Sequence, residues 1–382
     1  MKVEVKKAGR PDFILLGAVC CLILLGIIIM ASVSFAPSIR EYGSSFSILW
    51  HHILFGLLPG IVLGYVLFKF PLEKIKKLAP IVFLINLFSL VLVFFPVIGI
   101  SAGGASRWIN FGFTTIQPSE FLKVTFILYL AAWLSSLIKK NNEVKKNKVF
   151  QRANNSPNTF ISFLIIIGVI TVLMVLQRDV STWGVIIVSG IVMYFLSGVS
   201  LKHMVAIFLG LFGLLFLLIK LVPYRFQRFL VFLNPDLDPM GKGYQIKQAL
   251  ITVGSGGLFG KGFGLSLQRY GGFLPQPISD SIFALFSEEA GFIGSFILVS
   301  LFILFAWRGF VIAKNSKDQF SKFICFGISL WIIIQAFVNI GAMINLIPLT
   351  GIPLPFISYG GSALIAELMA VGIMLNISTK TS

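Results

Sequence analysis

The feature that most constrains this chain is a set of segments that are apolar on every side. Phe13 to Ala36 and Ile81 to Ile100 contain no charged residue. A surface helix of a water-soluble protein instead sets an apolar stripe opposite a polar face. A segment of about 20 residues without a polar face is long enough to cross the hydrocarbon core of a bilayer. Composition agrees: 57% of the 382 residues are apolar and 12% charged, more apolar surface than a soluble interior of that size can enclose. Phe13 to Ala36 is too long for the core of a signal peptide, and no convincing small-residue cleavage pattern follows it, so it is read as a retained first span. The expected fold is an all-α polytopic membrane protein.

Apolar stretches of roughly 17–25 residues fall at ten places, about 13–36, 48–68, 80–100, 119–138, 159–176, 180–197, 203–221, 281–307, 323–348 and 361–378. The fifth and sixth are short and meet at a polar break. Lys and Arg crowd alternate loops: Lys2 to Arg10, Lys69 to Lys77, Lys139 to Arg152, Lys202, Arg308 to Lys322, and Lys380. The short loops on the other side carry only Arg40, Arg107 and Arg178, so the positive-inside rule places both termini in the cytoplasm. The net charge of +17 then calls for no nucleic acid, because basic residues dispersed over loops suit anionic membrane lipid rather than one reading surface. Cys20, Cys21 and Cys325 lie inside apolar spans, and His51, His52 and His203 read as interfacial, so neither a disulfide framework nor a metal is assigned. The chain reads as a single membrane domain, 1–382, with one long external segment, about 222–280, between spans seven and eight. A connection of that length is uncommon unless it is functional.

A charge at mid-bilayer costs roughly 2.5–3.5 kcal/mol even on lenient scales, so each one asks for a partner or a purpose. Glu120 and Lys123, three residues apart in span four, can meet as an ion pair, either structural or functional. Arg178 and Asp179 occupy the break between spans five and six, where freed backbone groups must face protein or water. Glu288 and Glu289 enter span eight and Glu367 sits in span ten. Adjacent helical residues point in different directions, so the first two cannot share one site and at least one is expected to be structural. The run Gly254-Ser-Gly-Gly-Leu-Phe-Gly-Lys-Gly-Phe-Gly264 can turn sharply and offer N–H groups to an oxyanion, with Lys261 as an added cation. It is not a nucleotide phosphate loop, since no Ser or Thr follows the Lys and no strand precedes the run.

These residues stand among longer motifs. The external segment reads Arg228-Phe-Leu-Val-Phe-Leu-Asn-Pro-Asp-Leu-Asp-Pro-Met-Gly-Lys-Gly-Tyr-Gln245, then the glycine run, then Leu274-Pro-Gln-Pro-Ile-Ser-Asp280, then Glu288-Glu-Ala-Gly-Phe-Ile-Gly294. Gln117-Pro-Ser-Glu120 with Lys123 precedes it, and Gly351-Ile-Pro-Leu-Pro-Phe-Ile-Ser-Tyr-Gly-Gly-Ser362 follows. In this order, from about residue 13 to 378, the chain resembles the FtsW/RodA/SpoVE (SEDS) family. Gln276, Ser279 and Arg178 depart from the residues usual at those positions. Tyr244-Gln245 and Ser266-Leu-Gln-Arg-Tyr270 resemble the cell-division branch more than the elongation branch.

The resemblance implies a glycosyltransferase that extends glycan strands from lipid II on the outer face of the bacterial cytoplasmic membrane. It implies a class B penicillin-binding protein as transpeptidase partner and, for the division branch, other divisome proteins at the septum. The family's essential aspartate matches Asp280, the only acidic residue between Asp238 and Glu288. Transfer of this kind needs a base for the acceptor hydroxyl and cations for the departing pyrophosphate, and should invert the anomeric carbon. Asp280 is the candidate base, with helix N-capping as the alternative role. Arg107 is the first candidate cation, then Lys261 and Arg228, while Glu120, Lys123, Asp179 and Glu288 complete the candidate substrate-binding set. No cofactor is assigned, and divalent-cation dependence stays open. A lipid II flippase would use the same substrate without an external base. A secondary transporter would show internal repeats, which this sequence lacks.

Overall fold

The computed structural model describes residues 9–102, 105–112, 114–144, 157–199, 203, 205–207, 209–210, 213, 223–266, 274–275 and 277–381. Helix α1 (Phe13–Tyr42) begins where Asp12 accepts the Leu15 N–H at 2.8 Å and ends at Gly43 in the left-handed region. A second crossing, Ser47–Lys69, combines α2 (Ser47–His52), a π turn (Ile53–Leu57) and α3 (Leu58–Lys69). Pro59, which has no N–H for the ladder, stands where the wide turn gives way to regular helix. Then come α4 (Leu72–Leu92), α5 (Pro118–Val144), α6 (Pro157–Leu176) and α7 (Val180–Leu196). The long segment holds α8 (Pro223–Leu233) and α9 (Lys242–Ser255), and the chain closes with α10 (Ile282–Asn315), α11 (Gln319–Met343) and α12 (Gly361–Ser378).

Among the described residues, eight helices are long and apolar enough to cross a membrane, and Val180–Leu196 is a shorter apolar helix. The seventh expected span, 203–221, lies largely outside the described residues, as do much of the 139–158 loop and Lys202. Several helices outrun their apolar spans: α1 carries Arg40 and Glu41 in its last turns, α5 continues to Val144, and α10 continues to Asn315. Backbone hydrogen bonding does not stop where the lipid does, so hydropathy marks the buried part of a helix better than its end. A small antiparallel sheet, not foreseen from the sequence, follows α4. Its strands are β1 (Gly99–Ala102), β2 (Ala105–Asn110) and β3 (Thr115–Ile116), with Gly99 opposite Ile109 and Ile109 opposite Ile116.

Helices α5, α11 and α12 form the interior, while α4 and α6 turn apolar side chains such as Ile85, Phe88 and Ile165 outward, as lipid-facing helices must. Helix α12 lies tight against α3. A Cβ added at Gly64 would stand 2.7 Å from the Leu368 carbonyl oxygen, and one at Gly372 would stand 2.1 Å from that of Gly64. Without water to drive apolar surfaces together, such close approach of small residues is a main source of helix adhesion in lipid.

Candidate active site

Asp280 closes the turn that leads into α10, and its surroundings settle one of its two expected roles. Ser281, not Asp280, is the N-cap of α10, and no side chain caps that helix. The carboxylate is therefore released from capping. It is only 9% exposed, and Ser279 Oγ donates to its Oδ1 at 3.2 Å. The connector between α11 and α12, residues 344–360, fixes the backbone around it. Asn339 Nδ2 donates to the Asp280 carbonyl at 2.9 Å and to that of Ile352 at 2.8 Å. Ser358 Oγ donates to the Ser279 carbonyl at 2.5 Å, and the Tyr359 N–H to the Ile278 carbonyl at 2.9 Å. Burial pushes the Asp280 carboxyl above the usual carboxylate range, against the opposing pull of its own backbone N–H, the Ser279 hydroxyl, the Lys242 ammonium and the Gln245 amide.

The same connector reaches the pair expected in span four. Lys123 Nζ lies 2.7 Å from Glu120 Oε2 and 2.8 Å from Gln335 Oε1, with the Trp331 ring centroid 5.0 Å away. Gln335 in turn donates to the Pro353 carbonyl at 3.0 Å. Glu367 accepts the Phe356 N–H at 2.7 Å, holding that residue at a positive φ of 64°. Lys123 and Glu120 are both buried, so in this arrangement they shape the underside of the connector and do not open onto its surface.

A third group meets at the α6–α7 break, where Arg178 adopts φ 57°. Arg107, carried by β2, donates to the Gln177 and Arg178 carbonyls, and its guanidinium lies 3.9 Å from Asp179 Oδ1. Asp179 is buried and also accepts from Ser119 Oγ at 3.1 Å and Gln117 Nε2 at 3.3 Å. Ser181 Oγ donates to the Thr350 carbonyl at 2.6 Å, and Ser362 Oγ accepts the Gln117 N–H at 3.0 Å. Arg228 of α8 reaches the Leu349 carbonyl at 3.4 Å. The connector thus joins Asp280, the Lys123 pair, the Arg107–Asp179 group and Arg228.

Lys261 and Glu288 form a separate lobe, in which the glycine run finds partners inside the fold. Lys261 Nζ is bound to Glu288 Oε1 at 2.6 Å, and Glu288 also accepts from Ser255 and Ser266. Three N–H groups around the lysine already have acceptors: Gly260 in the Gly256 carbonyl, Lys261 in the Glu288 carbonyl, and Gly262 in the Glu289 carbonyl. Gly264 donates to Ser32 Oγ and to Glu289 Oε1. Both glutamates are buried, and each binds a different part of the loop. Helix α10 breaks just beyond them at Gly291, φ 68°. The glycines serve contact there: a Cβ at Gly256 would stand 2.0 Å from the Ser287 carbonyl oxygen. With Glu288 on its ammonium, Lys261 is a poor second cation for pyrophosphate.

Sequence reasoning passed over Asn339 and Gln335, which hold the Asp280 backbone and the connector, and Lys242, which binds Gln245. A cation in the first turn of α9 was the available signal for Lys242. The two amides, apolar in context, gave none.

The sequence matches the Cell cycle protein family (FtsW/RodA/SpoVE) over residues 13–382. It is 37% identical to a probable peptidoglycan glycosyltransferase FtsW of Coxiella burnetii, covering 94% of each chain. It is 39% identical to the stage V sporulation protein E of Bacillus subtilis, covering 97% of this chain and 98% of that one. In fold it resembles a chain from a solved peptidoglycan synthase complex (TM-score 0.74, 25% identity, 97% and 98% covered). The rod shape determining protein RodA of Thermus thermophilus shares the fold (TM-score 0.67, 24% identity, 96% of each chain). With motif order, helical architecture and full-length similarity in agreement, the chain belongs to the FtsW/RodA/SpoVE family of cell cycle proteins.

Proposed function

We propose that this peptidoglycan glycosyltransferase polymerises lipid II on the outer face of the bacterial cytoplasmic membrane, in septal wall synthesis beside a class B penicillin-binding protein. The observation that carries the reading is the buried Asp280 carboxylate, released from capping and carried on a turn whose backbone Asn339 and the connector hold. Such a group can take the proton of an acceptor sugar hydroxyl as that oxygen attacks the anomeric carbon of the donor. The carbon–oxygen bond to the lipid pyrophosphate breaks, and the pyrophosphate leaves with both electrons. Partial burial raises the basicity of the carboxylate toward the working pH, which suits a general base. Arg107 is the cation best placed to meet the leaving group, because its guanidinium is part-exposed and its partners are mostly carbonyls.

The experiment is strand synthesis from lipid II by purified Asp280→Asn protein. Rate should fall about 10²–10⁴-fold with lipid II binding retained. Because Asp280 caps no helix and its charge is buried at a cost, the variant should melt no lower than the parent. Polymerisation at the parental rate would remove Asp280 as base, whereas a parent protein that moves lipid II across the membrane and makes no strand would be a lipid II flippase. Septal assignment rests on the division-branch motifs and on similarity to proteins named FtsW. Uniform lateral localisation of a fluorescent fusion would overturn it.

A further inference from the structure

We infer that Lys242 is a positioning residue for the proposed base: its ammonium, fixed by Gln245, whose amide in turn binds Ser281 next to Asp280, favours the ionised form of that carboxylate, which accepts a proton. The inference deepens the proposed function and rests on Asp280 being the base. Lys242 opens the 14-residue helix α9, where the positive end of the helix dipole disfavours a cation, so its placement asks for a nearby anion. Its backbone N–H donates to Asp238 Oδ2 at 2.8 Å, which anchors the start of the helix. Its Nζ donates to Gln245 Oε1 at 3.1 Å, one turn on.

Gln245 is buried, and its amide nitrogen donates to Ser281 Oγ at 3.2 Å, while that hydroxyl donates to the Pro275 carbonyl at 2.9 Å. The amide is thereby oriented with its nitrogen toward the start of α10 and its oxygen toward the ammonium. A hydrogen-bonded chain from Lys242 through Gln245 ends at the residue that follows Asp280. Of the other elements, α11 and the connector bring neutral groups to the turn that carries the carboxylate: Asn339 on the Asp280 carbonyl, Ser358 on the Ser279 carbonyl, and Gly351. From α8, Arg228 reaches the Leu349 carbonyl. Burial works against the charge on Asp280 while the ammonium works for it. A desolvated carboxylate is a stronger base, and the ammonium offsets part of the cost of its charge.

The test is the pH–rate profile of lipid II polymerisation by the full-length protein and its Lys242→Gln, Lys242→Arg and Asp280→Asn variants. Removing the ammonium favours the protonated acid, so the acidic limb of kcat in Lys242→Gln should move up by about one pH unit. Activity should recover at alkaline pH, and Lys242→Arg should restore the parental limb. A Lys242→Gln profile that is unchanged, or lowered in parallel at every pH, would overturn the inference. So would a Lys242→Arg protein whose limb shifts like that of the glutamine variant. The base assignment itself fails only if Asp280→Asn polymerises at the parental rate, so the two failures are read from different variants.

Discussion

Lys123 and Asp280 are both charged and buried, yet their neighbours ask different things of them. Lys123 is enclosed by a carboxylate, an amide oxygen and an indole face, which together offset the loss of water. Asp280 has a hydroxyl and the more distant Lys242. A buried ion pair is costly to break from one side, about 3–5 kcal/mol, because the remaining partner is left charged and dry. Lys123→Met alone or Glu120→Gln alone should therefore unfold at markedly lower temperature, and the double variant should melt above the sum of the two losses. Additive losses would show that the pair is not coupled. At this scale the sequence was legible where spacing was short: a pair three residues apart in one helix declares itself. The Lys261–Glu288 pair was not legible because the two stand 27 residues apart, a contact that spacing within one segment cannot reveal.

Elements pack according to what their smallest residues allow. Helices α3 and α12 bring Gly64 and Gly372 into backbone contact, and α12 carries Glu367, which holds the connector from below. Forcing this pair of helices apart should loosen the connector, and with it Asp280. A Gly372→Ala substitution, whose Cβ would lie 2.1 Å from the Gly64 carbonyl oxygen, is expected to cost about 1–3 kcal/mol through overpacking and to lower polymerisation as well. Gly168→Ala in α6 is the control, since nothing lies within 4 Å of its Cβ; it should leave both properties unchanged. Equal melting temperatures for the two variants would refute the packing argument. The apolar spans announced these helices, but which faces would touch was not legible, because a helix that is hydrophobic all round has no stripe to mark its neighbour. The β1–β3 sheet escaped notice for a related reason: Gly99–Asn110 alternates too irregularly to read as strands.

Across the whole molecule, the two ends of the bundle differ in kind. At one end the termini meet: Gly9 donates to the Thr379 carbonyl at 3.1 Å, the Asp12 N–H to Ser378 Oγ at 3.0 Å, and Arg308 pairs with Asp12. At the other, the start of α10, the α6–α7 break and the connector converge on Asp280. Among the described residues, the basic loops around Lys69 to Lys77 and Arg308 to Lys322 belong to the first end and the proposed chemistry to the second. A bilayer reads that asymmetry, because Lys and Arg next to a span are retained on the cytoplasmic side. A reporter enzyme inserted between residues 139 and 158 should therefore be active only in the cytoplasm, and one inserted beside Asn234 only outside it. The second insertion falls between α8 and the short helical turn Pro235–Leu237, so it disturbs no spanning helix, and its signal reports sidedness rather than misfolding. Reversal of either reporter would place Asp280 on the face where an externally displayed lipid-linked sugar cannot reach it, and the proposed base would have no substrate.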